Sequence, residues 1–181
     1  MEWNKLATGS LIKIDEEIVT SAVASVTLTG IDSTYDVYMV RFNNVIGTSG
    51  NNNLEVRVTE SGTPNTTSNY DFAHKELDAT GAFDNRSATN SDHFQVNIQV
   101  GNDPLFNEQS NGVMYIFNAN NSGEYTFLTY ETVFLNPFSG ELLGSQGGGT
   151  FTSASTVDGL NIFFSTGSID SGSFVLYGLK K

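Results

Sequence analysis

Apolar residues in this chain recur at every second position, and that period constrains the fold more than any other feature. In "NLEVRVTE", Leu54, Val56 and Val58 alternate with Glu55, Arg57 and Thr59. "HFQVNIQV" repeats the pattern with Phe94, Val96, Ile98 and Val100. "VASVTLTG" sets Ala24, Val26 and Leu28 opposite Val23, Ser25, Thr27 and Thr29, and "YDVYMVRFNNV" sets Tyr38, Val40 and Phe42 opposite Val37, Met39 and Arg41. The runs "VMYIFNA", "YTFLTYETVFL", "GTFTSAS", "LNIFFST" and "SFVLYGLKK" follow. Period two is the repeat of a strand with one face turned to a core. Helical spacing is nearly absent. The window "SNYDFAHKELDA" allows at most one short helix, near residues 70–78.

Between these runs lie "GTSGNNN", "SGTPNTTSN", "NRSATNSD", "NANNSGE", "GSQGGG" and "GSIDSG". Gly and Asn tolerate positive φ, so each cluster reads as a turn or loop. "GSQGGGT" in particular reads as a flexible loop, since it lacks the lysine and following helix of a phosphate-binding loop. The pattern predicts an all-β chain of about nine or ten strands, an antiparallel β-sandwich of jelly-roll type. One domain is expected over residues 21–181, with residues 1–20 as an N-terminal arm or first strand. In "SFVLYGLKK", Phe174, Leu176 and Gly178 share one face, and Val175, Tyr177 and Leu179 the other. Both faces are largely apolar, so this strand is expected to be central or covered by a partner, and to pair with "LNIFFST".

Thirteen Phe and seven Tyr supply bulk for a core, while only 15% of residues are charged. Eight basic against twenty acidic groups leave a net charge of −12. Such a surface repels phosphate, which argues against nucleic acid and against anionic membranes as partners. It suits a partner with basic patches. There is no cysteine, hence no disulfide framework and no thiolate metal site. The opening "MEWNKLATGS" lacks the pattern of a secretory signal.

Chemistry-bearing residues are sparse. His74 and His93 lack a third metal ligand at a telling spacing and are expected on the surface or on an edge strand. Asp15, Glu16 and Glu17 form an acidic run, and Asp32 and Asp36 flank a turn. A glycosidase would need two such groups facing each other across a cleft. "GIDSTYD" and "TVDGLN" offer oxygen ligands of the kind calcium takes. The competing expectation is that Asp32 closes an Asx turn and that Asp158 with Gly159 forms another turn. Trp3, Tyr70 and Phe72 lie in segments that could be loops, where aromatics could stack on sugars, although core packing is the commoner fate of such residues. The expectation is a non-enzymatic protein with no catalytic residues, no cofactor and no required metal.

"TGIDSTYDVY", "LEVRVTESGTPNTTSNYDFAHKEL" and the terminal "GGGTFTSASTVDGLNIFFSTGSIDSGSFVLYGLKK" together resemble a family of small virion proteins of tailed bacteriophages, frequent in marine and cyanobacterial viruses. The resemblance runs from about Ser25 to Lys181. It implies a structural protein of the virion, assembled in the host cytoplasm, with no catalytic residues carried over. The compact chain with its polar N-terminal segment then suits a capsid decoration or cement protein. The expected form is a homotrimer seated on the major capsid protein. The alternative is a tail-associated or receptor-binding module that contacts host surface glycans.

Overall fold

The computed structural model describes residues 10–103 and 108–180. Thirteen strands form among these residues and no helix does. They are β1 (Leu11–Val19), β2 (Ser25–Thr29), β3 (Val37–Gly47), β4 (Asn52–Glu60), β5 (Thr63–Pro64), β6 (Tyr70–Asp78) and β7 (Phe83–Ser91). After them come β8 (Phe94–Val100), β9 (Ser110–Phe117), β10 (Thr126–Leu135), β11 (Leu142–Phe151), β12 (Gly159–Phe164) and β13 (Ile169–Leu179).

Eight strands build a large sheet in the order β1-β13-β3-β9-β10-β11-β6-β7. A smaller sheet runs β2-β12-β4, with β5 and β8 both beside β4 along different stretches of it. Every pairing is antiparallel. The two sheets close on one another as a β-sandwich, and the alternating residues read from the sequence meet between them. Val26, Leu28, Val40, Phe42, Leu54, Val56, Val58, Phe94, Leu160, Ile162, Phe174 and Leu176 all join one core.

Three buried tyrosines fasten this core, each with its hydroxyl satisfied, as burial of a polar group requires. Tyr70 donates to the Asn65 carbonyl at 2.7 Å and accepts from the Val58 amide at 3.2 Å. Its ring lies 4.9 Å from both Phe94 and Phe151, centroid to centroid. Tyr38 donates to the Asp32 carbonyl at 2.6 Å. Tyr130 donates to the Gln95 carbonyl at 2.8 Å, tying the large sheet to β8.

Four expectations are corrected. The helix near residues 70–78 is strand β6, because Tyr70, Phe72, His74 and Glu76 alternate into the interior while Ala73, Lys75 and Leu77 point out. The segment "GSQGGGT" is no loop. It lies within β11, between β10 and β6. Its glycines allow neighbouring chains to close in: a Cβ on Gly147 would stand 2.3 Å from the Ala73 carbonyl oxygen, and one on Gly149 would stand 2.7 Å from the Phe94 ring. The strand count of nine or ten rises to thirteen, because three strands lie in segments read otherwise: β5 in the turn "SGTPNTTSN", β6 in the helix window, and edge strand β7 in the turn "NRSATNSD". Finally, "LNIFFST" and the C-terminal strand do not pair. β12 lies between β2 and β4, and β13 lies between β1 and β3 in the opposite sheet. Both are apolar on the inner face, so their patterns could not say which sheet each joins. β13 is an interior strand, paired on both sides and one in from the edge strand β1.

Candidate functional site

The outer face of the large sheet is the feature that the core does not explain. Alternation fixes its membership: on β10 the side chains of Leu128, Tyr130 and Phe134 go inward, so Phe127, Glu131 and Val133 go out. Ten large hydrophobic residues are exposed among the described residues, and eight of them lie on this face. These are Leu11 and Ile18 on β1, Leu77 on β6, Phe83 on β7, Tyr115 on β9, Phe127 and Val133 on β10, and Leu142 on β11. Ile18 is 64% exposed and Phe83 62%. Between them Val175 is fully buried although it points away from the core, because Arg41 and Glu16 flank it in register and Tyr177 and Ser173 flank it along the strand.

Charge follows the same division. On a chain of net charge −12, the strands of this face present Lys13, Arg41 and Lys75 against Glu16, Asp71 and Glu131. With Asp170, exposed at the start of β13, the face is within one charge of neutral, and most of the acidic excess lies elsewhere. Its middle is hollow. Outward positions of β11 include Gly144 and Gly148, and beside this strand runs a groove of about 350 Å³ lined by Val113, Tyr115, Thr129, Glu131 and Gln146. Gln146 donates to Glu131 across the strands at 2.8 Å.

The opposite face, on the small sheet, is polar and self-satisfied. Asn161 donates to Ser25 and Thr27 at 3.1 and 2.9 Å. Beside it, Arg57 forks onto Asp92, bonding its carbonyl at 2.9 Å and its carboxylate, while the guanidinium lies 4.4 Å above the Phe163 ring. His93 sits between two carboxylates, with Nδ1 2.7 Å from Asp92 and Nε2 3.4 Å from Glu55. Burial raises the Glu55 carboxyl above its ordinary value, while His93 opposes the shift. Burial also works against ionisation of Asp92, but hydrogen bonds from His93 and Arg57 outweigh it and hold that carboxyl low. The cluster clamps the β7–β8 turn onto β4 and β12.

His74 is a correction. Expected on the surface or on an edge strand, it is only 4% exposed on β6, one strand in from the edge. Its Nδ1 lies 2.8 Å from the Tyr130 hydroxyl. That hydroxyl already donates to Gln95, so Nδ1 carries the proton and Nε2 is left bare. Nε2 is buried without a partner. Burial, with Arg86 nearby, pushes the imidazole down to about 4, so it is neutral at pH 7. His74 and His93 both flank Phe72, with ring centroids 6.2 and 6.4 Å from it. Among the described residues no group of three or more His, Cys, Asp and Glu side chains could hold a metal ion.

The remaining candidates fall into structural positions. Asp15 follows an irregularity in β1 and accepts the Thr29 amide at 2.7 Å. Glu16 pairs with Lys13 at 2.7 Å, and Glu17 is exposed. Asp32 caps the Thr34 amide at 2.7 Å, an Asx turn, and that bond holds its carboxyl below the ordinary value. Asp32 and Asp36 line a shallow cleft with Asn118, Asn120 and Asn121. Asp158 accepts from the Thr59 hydroxyl at 2.6 Å and the Gly62 amide at 2.7 Å, locking the β4–β5 turn, and Gly159 begins β12. Tyr70 and Phe72 are core residues and offer no platform to a sugar. Trp3 lies outside the described residues. Sequence reasoning saw the second apolar side only on "SFVLYGLKK" and missed the rest of the outer face, although the odd-numbered residues of "YTFLTYETVFL" already showed Phe127 and Val133 on the side away from Leu128 and Tyr130.

Set against known proteins, the chain matches no family model, no curated protein and no solved structure.

Proposed function

We propose that this chain is a structural protein of a bacteriophage virion, a decoration protein that works by being packed against. The outer face of the large sheet carries the reading: eight exposed large hydrophobics on a nearly neutral surface of an otherwise acidic molecule. Apolar area concentrated on one side marks a protein contact rather than chance exposure. A rigid sandwich that turns this face to copies of itself or to the major capsid protein, and its acidic remainder to solvent, suits a stabiliser of a shell. The resemblance in "TGIDSTYDVY" and the terminal segment supplies the phage context. Quantitative analysis of purified virions tests it. Many copies per particle, in fixed ratio to the major capsid protein, are expected; absence from virions refutes the reading.

One observation favours a second reading, a tail-associated or receptor-binding module. The groove beside β11 combines the Tyr115 ring with the Thr129 hydroxyl and the Gln146–Glu131 pair, a mixture of ring and hydrogen-bonding groups that suits a glycan. A handful of copies per virion, confined to the tail, would favour it.

A further inference from the structure

The two halves of the large sheet's outer face are complementary to each other, and we infer that this face binds a second copy of the chain about a two-fold axis running parallel to the strands between β9 and β10. The inference deepens the reading above by naming the partner of the apolar face.

The register supplies the argument. One row across the face reads Lys13, Tyr177, Met39, Tyr115, Thr129, Gly148, Ala73, Ser87. Its first half is bulky and its second half small. The next row reads Glu16, Val175, Arg41, Val113, Glu131, Gln146, Lys75, Asn85. A two-fold axis along the strands lays each half on the other half of the partner, row upon row, with β3 over β11. Met39 then faces Gly148, Tyr177 faces Ala73, and Tyr115 faces Thr129. Arg41 faces Gln146 and lies beside Glu131 of the second copy, while Glu16 comes beside Lys75. In the first row large side chains meet small ones; in the second, Val113 and Val175 face Glu131 and Lys75, and Arg41 and Glu16 lie diagonal to those two opposite charges. The groove beside β11 is the space that the exposed Arg41 of the other copy lies over. An axis perpendicular to the strands would set bulky half on bulky half.

Size agrees. Eight strands spaced ~4.8 Å apart, each presenting about seven residues at ~3.3 Å, give roughly 900 Å² per copy. Stable interfaces bury about 800 Å² per partner. Sheets packed face to face with strands nearly aligned are a common arrangement. A contact in which the same patch meets itself closes as a dimer, whereas the trimer expected from the sequence needs a head-to-tail contact.

Sedimentation velocity of the full chain tests the inference. A dimer is expected. Ala73→Glu, at an exposed position, drives it to monomer with an unchanged circular dichroism spectrum and the melting temperature of wild type diluted to monomer. Arg41→Glu weakens the dimer about tenfold or more, and adding Glu131→Arg restores it. Thr27→Glu, on the small sheet, leaves it unchanged. A monomer at every soluble concentration, a trimer, or a dimer indifferent to Ala73→Glu and Arg41→Glu overturns the inference. A face-dependent dimer from a chain absent from virions would refute the virion role alone.

Discussion

Lowering the pH from 7.5 to 5 is expected to cost the fold about 2 kcal/mol through His74 alone. The imidazole is buried, hydrogen-bonded at Nδ1 to Tyr130, and bare at Nε2. A proton added at Nε2 finds no acceptor there and stands near Arg86. The folded value is therefore about 4 against an ordinary value of 6.5. A depressed histidine contributes stability that is present above the unfolded value and is lost as pH falls toward the folded one. Each unit is worth about 1.4 kcal/mol, so the ceiling is ~3 kcal/mol, most of it lost between pH 6.5 and 4. Glu55 works the opposite way, since a raised carboxyl favours the folded state as it protonates. Asp32, Asp78 and Asp92, all held low, lose their contribution only at more acid pH. Comparing wild type with His74→Asn isolates the effect, because Asn places a non-titrating donor near the Nδ1 position. Urea unfolding at pH 7.5, 6, 5 and 4 should show the two stabilities converging by about 2 kcal/mol by pH 5. Parallel pH profiles would refute a neutral, buried His74.

Other outcomes follow from the same packing. Deleting Gly172–Lys181 removes Phe174, Val175 and Leu176, each worth ~1.5–3 kcal/mol when buried, and strips β1 and β3 of their shared partner; no cooperatively melting protein should be recovered. Gly147→Ala drives a methyl group into the Ala73 carbonyl oxygen and should cost about 1–3 kcal/mol in urea unfolding, and an unchanged stability would show that β6 and β11 can part cheaply. Tyr70→Phe leaves the Asn65 carbonyl and the Val58 amide without the hydroxyl and should cost about 1–3 kcal/mol by the same measurement.

The inner face of this sandwich was legible in the sequence because alternation is a local signal. Leu54, Val56 and Val58 had to share a side whichever strands flank them, and they do. Pairing is not local. Nothing within "LNIFFST" or "SFVLYGLKK" tells one sheet from the other, so their separation came only with the structure. The glycines of β11 misled for a related reason: Gly marks a loop when read alone and a close approach when Phe94 and Ala73 stand opposite. His74 was misplaced because a single histidine carries no burial signal, whereas its setting on the inward side of "YDFAHKEL" between Phe72 and Glu76 did. The apolar outer face was visible in fragments, as apolar residues on the second side of β10 and β13. It became a surface only when the strand order set those fragments side by side.

The central claim is that this is a virion protein whose large-sheet face is covered by protein. Cryo-electron microscopy of the intact particle tests it most directly. The account predicts density for the chain on the head surface, with Ile18, Tyr115, Phe127 and Val133 buried against a second copy or the shell. Density confined to the tail, or a head-bound chain with that face open to solvent, would contradict it.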